Sequence, residues 1–319
     1  MATVPHRADV LEAADRVYRF ARHTSLVRDP GLSERLDCDV LLKLETEQPV
    51  GSFKVRGAAN KLIELTETEV IAASSGNHGI AVAYVASRLG KRATIVLPEN
   101  VNPRKEARIR ELGATTIRHG VSSEERGPFA RELARQKGSA YIPSFDDPRI
   151  ITGQGTLGLE IQNAISADAI LCPVGGGGLI SGIALAYEGS ETALLFGVQP
   201  EGAASMQASL SAGKPVSIPV DTIADGISVS RPGELTFSIV RDRVQEILTV
   251  SDTEILTATQ ELWQRSGRLI EPASASVVAA ALRWSEKWKG LAARPTLVLV
   301  ISGGNISDEI RDQVTRAGG

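Results

Sequence analysis

The chain has 319 residues, and its hydrophobic content of 42% is enough to build one large core or two modest ones. The formal net charge is −3 at pH 7 with both signs interspersed, so the chain has no long-range attraction for nucleic acid or an anionic membrane. Its longest apolar run, TLVLVI, is far shorter than a membrane span. We therefore expect a globular protein with neither a nucleic-acid nor a membrane partner.

The two cysteines, Cys38 and Cys172, both lie in apolar segments. This placement predicts buried free thiols in a reducing compartment, and the alternative of a disulfide between them has no support in the sequence. The N-terminal dozen residues include acidic side chains and no apolar signal segment. We therefore expect a cytoplasmic protein.

Short runs of Val, Ile, Leu and Ala alternate with segments of helical period along the chain, which predicts parallel strands covered by helices on both faces. Helices are predicted at 77–90, which ends in Gly90, and at 102–114, which has Pro103 in its first turn. The predicted strands are VLLKLE (40–45), EVIAAS (69–74), ATIVLP (93–98), TTIRHG (115–120), AYIPS (140–144), AILCPVG (169–175), LLFGVQ (194–199) and LVLVIS (297–302).

Four of the strand candidates and three helix candidates fall in one continuous stretch in the first half of the chain. This number of elements is enough for a compact subdomain. We therefore predict a small inserted α/β domain at 67–145 and a large domain formed by 1–66 together with 146–319.

Four consecutive glycines, Gly175, Gly176, Gly177 and Gly178, follow one predicted strand and precede a helix. Without Cβ atoms, several backbone N–H groups can converge on an anion at the positive end of the helix. A tight turn usually needs only one glycine, so the pattern favours a phosphate site. It is neither a Walker loop nor a dinucleotide motif, because G-x-x-x-x-G-K-[ST] is absent and the third glycine of G-x-G-x-x-G is missing.

Two more loops follow predicted strands in the same way, at 72–79 (AASSGNHG) and 300–307 (VISGGNIS). The carboxyl ends of parallel strands share one edge of a sheet, so these loops are expected to meet the glycines around one ligand. Taken singly, each loop is more typical of a helix N-cap, where Ser and Asn are favoured, than of a ligand site.

Lys54 lies in the segment GSFKVRGAAN (51–60), between Phe53 and Val55 and near the start of a predicted helix. Solvating lysines usually have polar neighbours. A lysine that acts as a nucleophile and then as a base must lose its proton near neutral pH, and a desolvated site favours this. The setting of Lys54 therefore predicts a chemical role.

The motifs SFKVRGA, SSGNHG, GGGGL and SGGN occur in this order over about 250 residues, and together the chain resembles the fold-type II pyridoxal-phosphate enzymes. More narrowly, it resembles the serine/threonine dehydratase and serine racemase family, also through LIEPASA and SRPGELTF. The resemblance implies an α/β fold of the two-domain, tryptophan synthase β-like type, with parallel twisted sheets flanked by helices. It also implies pyridoxal 5'-phosphate as cofactor and a homodimer.

The resemblance assigns roles to the residues of these motifs. Lys54 would form the Schiff base with the cofactor, and its amine would then remove the Cα proton of the substrate. Phe53 would also contact the cofactor. Gly175 to Gly178 would bind the cofactor phosphate, Asn77 the 3'-oxygen, and Ser302 the pyridine nitrogen. Glu271 in LIEPASA would lie near the ring, although a glutamate is also favoured at a helix start before proline.

A hydroxyl partner such as Ser302 leaves the pyridine nitrogen largely unprotonated, which favours expulsion of a β-substituent over transamination. The predicted reaction is the β-elimination of L-serine, L-threonine or 3-hydroxyaspartate to a 2-oxo acid and ammonia. The alternatives are an amino acid racemase with side elimination, and a non-catalytic protein that binds pyridoxal phosphate or an amino acid.

By the same resemblance, the substrate carboxylate would be held by a loop of donors, namely Ser74, Ser75, Gly76, Asn77 and His78. Serine racemases and 3-hydroxyaspartate dehydratases carry serine at the position of Ser75, on the cofactor face opposite the lysine. A base on each face is what two-way inversion at Cα requires, so Ser75 is also a catalytic candidate. The alternative is that Ser75 only binds the carboxylate or caps a helix.

Arg126, in SSEERGPFA, matches an arginine that racemase-like members use near the substrate. If it faces the cleft, it can pair with a second carboxylate and favour hydroxyaspartate as substrate. A solvated arginine at a helix start is the more common situation.

Racemase-like members also bind a divalent cation through a glutamate, a backbone carbonyl and an aspartate. The matching positions here are Gln199, Ala203 and Ser205, so both carboxylates are missing, and Glu201 lies at the wrong step of the pattern. Hard cations prefer charged oxygen ligands. We therefore predict no bound metal.

Overall fold

The computed structural model describes residues 3–74, 76–120, 123–190 and 192–316. The helices are α1 (Arg7–Val17), α2 (Pro30–Leu36), α3 (Lys54–Ile63), α4 (Asn77–Arg88), α5 (Pro103–Glu111), α6 (Ser123–Lys137), α7 (Pro148–Ala164), α8 (Gly178–Ala186), α9 (Ser205–Ala212), α10 (Glu234–Arg243), α11 (Asp252–Ser266), α12 (Pro272–Arg283), α13 (Ser285–Trp288) and α14 (Asp308–Arg316). The strands are β1 (Leu26–Arg28), β2 (Asp39–Leu44), β3 (Glu69–Ala73), β4 (Arg92–Leu97), β5 (Thr115–Arg118), β6 (Ala140–Tyr141), β7 (Ala169–Pro173), β8 (Leu194–Pro200), β9 (Glu246–Val250) and β10 (Thr296–Ile301).

The larger sheet has six strands in the order β1-β2-β10-β7-β8-β9. Strand β1 is antiparallel to β2, and the remaining neighbours are parallel. The central strand β10 is buried over five of its six residues because helices cover both faces of the sheet. Its continuous run of Leu, Val and Ile is therefore required by burial on two sides.

All eight predicted strands are confirmed, and two edge strands were missed. Strand β1 has only three residues, and none of them is fully buried, so it carries no apolar run. Strand β9 begins with an exposed glutamate and pairs on one side only. Edge strands with short or mixed patterns give a weak signal in the sequence.

The smaller sheet has four parallel strands in the order β5-β4-β3-β6. Both predicted helices next to it are confirmed, as α4 and α5, and Asn102 caps α5 by accepting a hydrogen bond from Arg104 N. The core under this sheet also contains Val55 and Leu62 of α3. The domain boundaries at 67 and 145 stay a prediction, because this core continues across the first of them.

The α/β fold with parallel sheets flanked by helices is confirmed. None of the helices in the described residues combines the length and the apolar character needed to cross a membrane. The loops expected to meet at one sheet edge follow strands of different sheets: the loop at 72–79 follows β3, whereas the glycines follow β7 and the loop at 300–307 follows β10. The expectation of a single edge was therefore wrong, since the strand pattern does not show which sheet a strand joins.

Candidate active site

A cavity of about 560 Å³ is lined by loops that follow strands of both sheets. Its volume is typical of a small-molecule site. The sequence-predicted site residues that line it are Phe53, Lys54, Ser74, Gly76, Asn77, His78, Arg126, Gly175, Gly176, Gly177, Gly178 and Ser302. Ser75 lies outside the described residues, so its predicted role has no structural test.

Lys54 is the first residue of α3 and lies half-buried on the cavity wall. Its Nζ donates a hydrogen bond to the backbone oxygen of Ser144 at 2.8 Å and lies 5.1 Å from the centre of the Phe53 ring. Burial lowers the pKa of the Lys54 amine to about 8, and the nearby Glu271 carboxylate opposes this shift. The amine is therefore far easier to deprotonate than that of a surface lysine.

The lowered pKa predicts how the cofactor-free protein reacts with an aldehyde between pH 7 and 10. Only the neutral amine is nucleophilic, so attachment of pyridoxal phosphate to Lys54 should speed up about tenfold per pH unit below pH 8 and level off above it. Stopped-flow absorbance measures this rate. Nα-acetyl-lysine, whose ε-amine is free and has an ordinary pKa, is the control amine, and its rate should keep rising to pH 10. The same rise for the protein would show that Lys54 has an ordinary pKa.

The glycine loop joins the end of β7 at Pro173 to the start of α8 at Gly178. Gly177 has φ +96°, a conformation that side-chain-bearing residues rarely adopt. A Cβ on Gly176 would lie about 2.4 Å from the Phe145 ring, so a larger residue cannot enter there without displacing the aromatic side chain. Within the described residues, no oxygen accepts a hydrogen bond from the N–H groups of the four glycines.

Ser302 follows β10 and is 6% exposed. Its Oγ shares a hydrogen bond of 3.0 Å with Oγ of Ser274, which also donates to the oxygen of Gly303 and accepts from its N–H, both at 2.8 Å. Sequence reasoning missed Ser274 as a support of Ser302. It lies within the quoted motif LIEPASA, but only the fold of α12 against β10 shows its partner.

The loop after β3 leads directly into the first turn of α4. Ser74 Oγ accepts a hydrogen bond from Gly76 N at 3.2 Å, and both residues line the cavity. The free N–H groups and the positive end of the helix dipole at such a terminus attract a carboxylate. This geometry is compatible with the predicted binding of the substrate carboxylate.

Asn77 belongs to a polar network rather than being free to meet a ligand. Its Nδ2 donates to both carboxylate oxygens of Glu271 at 3.0 Å, and its Oδ1 accepts from Asn305 Nδ2 at 2.6 Å. Burial raises the pKa of Glu271, and hydrogen bonds from Asn77 and from Asn305 N partly oppose that shift. A contact of Asn77 with the 3'-oxygen of a cofactor would require its amide to share these bonds.

His78 is buried in the first turn of α4 and lines the cavity. Burial, and then the Lys54 charge, lower the pKa of His78 to about 3. The ring is therefore neutral at physiological pH, and its Nε2 must carry the proton because it faces the backbone oxygen of Ile142 at 3.0 Å. Since this bond uses the one ring proton, His78 can offer a substrate carboxylate only its backbone N–H.

Arg126 lies on α6, half-buried on the cavity wall, and not in bulk solvent as is usual for a helix-start arginine. Burial lowers the pKa of its guanidinium, although an arginine stays charged at neutral pH. The structure thus places Arg126 in the same cavity as Lys54, and Arg104, Lys105 and Arg108 also line this cavity.

Gln199 and Glu201, at the position of the racemase-like cation site, are engaged within the protein, whereas the buried Ser205 hydroxyl has no hydrogen-bond partner among the described residues. Both ends of the Gln199 amide are hydrogen-bonded, to Val174 O and to the N–H groups of Met206 and Gln207, and Glu201 pairs with Arg283 at the surface. The described residues contain no group of three or more His, Cys, Asp and Glu side chains that could hold a metal ion. The absence of a metal stays a prediction.

Known proteins that resemble this chain use the chemistry that the site residues predict. Residues 17–303 match the family model described as pyridoxal-phosphate dependent enzyme. The chain is 39% identical over 310 residues to L-threo-3-hydroxyaspartate ammonia-lyase of Saccharomyces cerevisiae, covering 95% of this chain and 94% of that protein.

Two solved structures have the same fold, each with a TM-score of 0.91. Processed threonine deaminase isoform 2 of Solanum lycopersicum is 35% identical, covering 98% of this chain and 92% of that one. Maize serine racemase is 30% identical, covering 99% and 98%. The chain therefore belongs to the family of pyridoxal-phosphate dependent enzymes, in its fold-type II group, and the predicted resemblance is confirmed.

The residues present fit the cofactor of this family. The cavity holds an amine with a lowered pKa, a run of glycine N–H groups for which the described part of the chain provides no acceptor, and the nearly buried hydroxyl of Ser302. These groups match the aldehyde, the phosphate and the ring nitrogen of pyridoxal phosphate by charge and hydrogen-bonding type.

Proposed function

We propose that the protein is an ammonia-lyase that converts a 3-hydroxy amino acid into a 2-oxo acid and ammonia. The observation that carries this proposal is the Lys54 amine, with its lowered pKa, in the same cavity as four glycines whose N–H groups have no acceptor among the described residues. The ammonia-lyase and deaminase activities named for the relatives support it.

Bound pyridoxal phosphate supplies the electron sink that allows the Cα–H bond of the substrate to break and the β-hydroxyl to leave. In our proposal Lys54 binds the aldehyde and then takes the Cα proton on Nζ. The backbone oxygen of Ser144 orients this amine through the hydrogen bond already present. The glycine N–H groups of residues 175–178 hold the phosphate.

Ser302 is proposed to donate its hydroxyl proton to the ring nitrogen, with Ser274 then donating to Ser302 Oγ in place of Gly303 O. A hydroxyl cannot keep the nitrogen protonated as a carboxylate would, so negative charge at Cα is not stored for long. This favours departure of a leaving group at Cβ. The substrate carboxylate is proposed to bind at the start of α4, where Ser74, Gly76 and the backbone of Asn77 and His78 line the cavity.

The side chain of the substrate distinguishes two versions of this function. L-Threonine and L-serine carry no second charge, whereas 3-hydroxyaspartate carries a second carboxylate. Arg126 on the cavity wall offers a partner for that carboxylate. We therefore favour L-threo-3-hydroxyaspartate, the substrate in the name of the yeast relative, as the second candidate to test beside threonine.

A substrate panel tests the function. The purified holoenzyme should release 2-oxo acid and ammonia from at least one of L-threonine, L-serine and L-threo-3-hydroxyaspartate, measured by coupled lactate dehydrogenase or hydrazone absorbance. The D enantiomers serve as controls. Interconversion of serine enantiomers faster than oxo-acid release would instead indicate a racemase, and cofactor binding without turnover of any member would indicate a binding protein.

We further propose a cytoplasmic homodimer. Cys38 and Cys172 are both buried free thiols, as expected in a reducing compartment. Burial also raises the pKa of both thiols, so neither is activated for chemistry. The homodimer is supported by the family resemblance alone.

A further inference from the structure

Two buried polar side chains outside the cavity lining bind backbone carbonyls of the glycine loop, and sequence reasoning did not place them at the site. Thr236 comes from α10 and Gln199 from β8, and both are fully buried. Neither lines the cavity. Each binds a different carbonyl of the segment 174–178.

Thr236 Oγ1 donates a hydrogen bond of 2.6 Å to the oxygen of Gly176. The threonine is itself fixed, because Asp146 accepts hydrogen bonds from the N–H groups of Leu235 and Thr236 at the start of α10. A Cβ on Gly177 would lie about 3.0 Å from Thr236 Cβ, so the loop rests directly on this side chain.

Gln199 holds the other carbonyl. Its Nε2 donates to Val174 O at 3.2 Å, while its Oε1 accepts from Met206 N at 3.0 Å and from Gln207 N at 3.1 Å. Since both ends of the amide are occupied, Gln199 cannot rotate without losing bonds. A Cβ on Gly177 would also lie 2.8 Å from Cε of Met206, so α9 and the glycine loop are in contact.

The peptide bonds of the loop are trans, and the C=O and N–H of one trans peptide point in opposite directions. Holding Val174 O therefore directs the N–H of Gly175 to the opposite side, and holding Gly176 O does the same for Gly177 N–H. These are two of the N–H groups that donate to no oxygen among the described residues.

We propose that Thr236 and Gln199 are positioning residues for the cofactor phosphate: by binding alternate carbonyls of the glycine loop, they hold the N–H groups of Gly175 and Gly177 toward the anion. The inference rests on the proposed binding of the phosphate by this loop. It does not depend on which amino acid is the substrate.

The test compares Thr236→Val, which removes the hydroxyl with little change of shape, with Thr236→Ser, which keeps it. The dissociation constants of pyridoxal 5'-phosphate and of pyridoxal, which lacks the phosphate, are measured for each cofactor-free protein by absorbance and fluorescence titration. Ser181→Ala is the control for loss of a buried hydroxyl nearby, since Ser181 Oγ binds Thr236 O and not the glycine loop.

Thr236→Val should weaken pyridoxal phosphate binding about tenfold and pyridoxal binding less than about twofold, as expected for one lost hydrogen bond that orders an anion site. Thr236→Ser and Ser181→Ala should keep the ratio of the two constants within about threefold of wild type. The ³¹P resonance of the bound phosphate should shift in Thr236→Val only. If Thr236→Val leaves the ratio of the two dissociation constants unchanged, whether both ligands bind more weakly or neither does, the proposal is overturned.

Gln199→Met provides a second variant if Thr236→Val does not fold, as judged by thermal unfolding of the cofactor-free protein. It too should lower the preference for the phosphorylated ligand, because Val174 O loses its donor, and an unchanged preference would contradict the proposal. A wild-type protein that binds pyridoxal phosphate but eliminates nothing would refute the proposed function and leave this inference standing. Wild-type affinity for pyridoxal equal to that for pyridoxal phosphate would refute the phosphate site itself.

Discussion

Replacement of Lys54 by alanine should lower kcat/KM for elimination at least about 1,000-fold, because one side chain both binds the aldehyde and moves the Cα proton. The variant should also lose its covalent link to pyridoxal phosphate. Borohydride reduction followed by peptide mass spectrometry measures that link, which in the wild type should be found on the peptide containing Lys54.

Lys61→Ala is the matched control, since Lys61 lies on the same helix and pairs with Asp147 at 2.7 Å instead of facing the cavity. It should leave the covalent link intact and change kcat/KM by less than about threefold, as is usual when an ion pair near the surface is lost. A Lys54→Ala protein that still forms a reducible link on another lysine, with activity retained, would refute the assignment of Lys54.

Replacement of Arg126 by methionine should lower kcat/KM for L-threo-3-hydroxyaspartate about 10- to 100-fold while changing that for L-threonine by less than about threefold. The reason is that a charge-assisted pair with the second carboxylate contributes about 1.5–3 kcal/mol, and threonine has no group that could use it. Steady-state assays of both substrates with each variant give this ratio. Arg126→Lys should recover part of the activity because it restores the charge but not the bidentate geometry.

Arg135→Met is the control on the same helix, because Arg135 is exposed and pairs with Glu132. It should leave the ratio of the two substrates unchanged. Equal losses for both substrates in Arg126→Met would mean that Arg126 supports the loop or the cofactor and does not select the side chain. A wild-type protein that does not turn over L-threo-3-hydroxyaspartate would refute the proposed pairing of Arg126 with the second carboxylate.

The sequence by itself determined the class of fold, and it predicted most of the residues that line the candidate site. The buried strands, such as LVLVIS, can be predicted from the sequence because burial on two faces requires an unbroken apolar run. Two further features can be recognised locally. Lys54 has apolar neighbours, unlike a solvated lysine at a helix start, and four successive glycines are more than a tight turn needs. Edge strands β1 and β9 carry no such signal and were missed.

The tertiary structure alone decided how these residues meet. The loop with Ser74 belongs to a different sheet from the loop with Ser302, and only packing brings both to one cavity. The pKa of Lys54 depends on its burial and on Glu271, more than 200 residues further along the chain. Likewise the supports of the site, Ser274 and Thr236, are ordinary hydroxyl residues in the sequence. Their roles come from hydrogen bonds between distant segments, and no local pattern encodes such bonds.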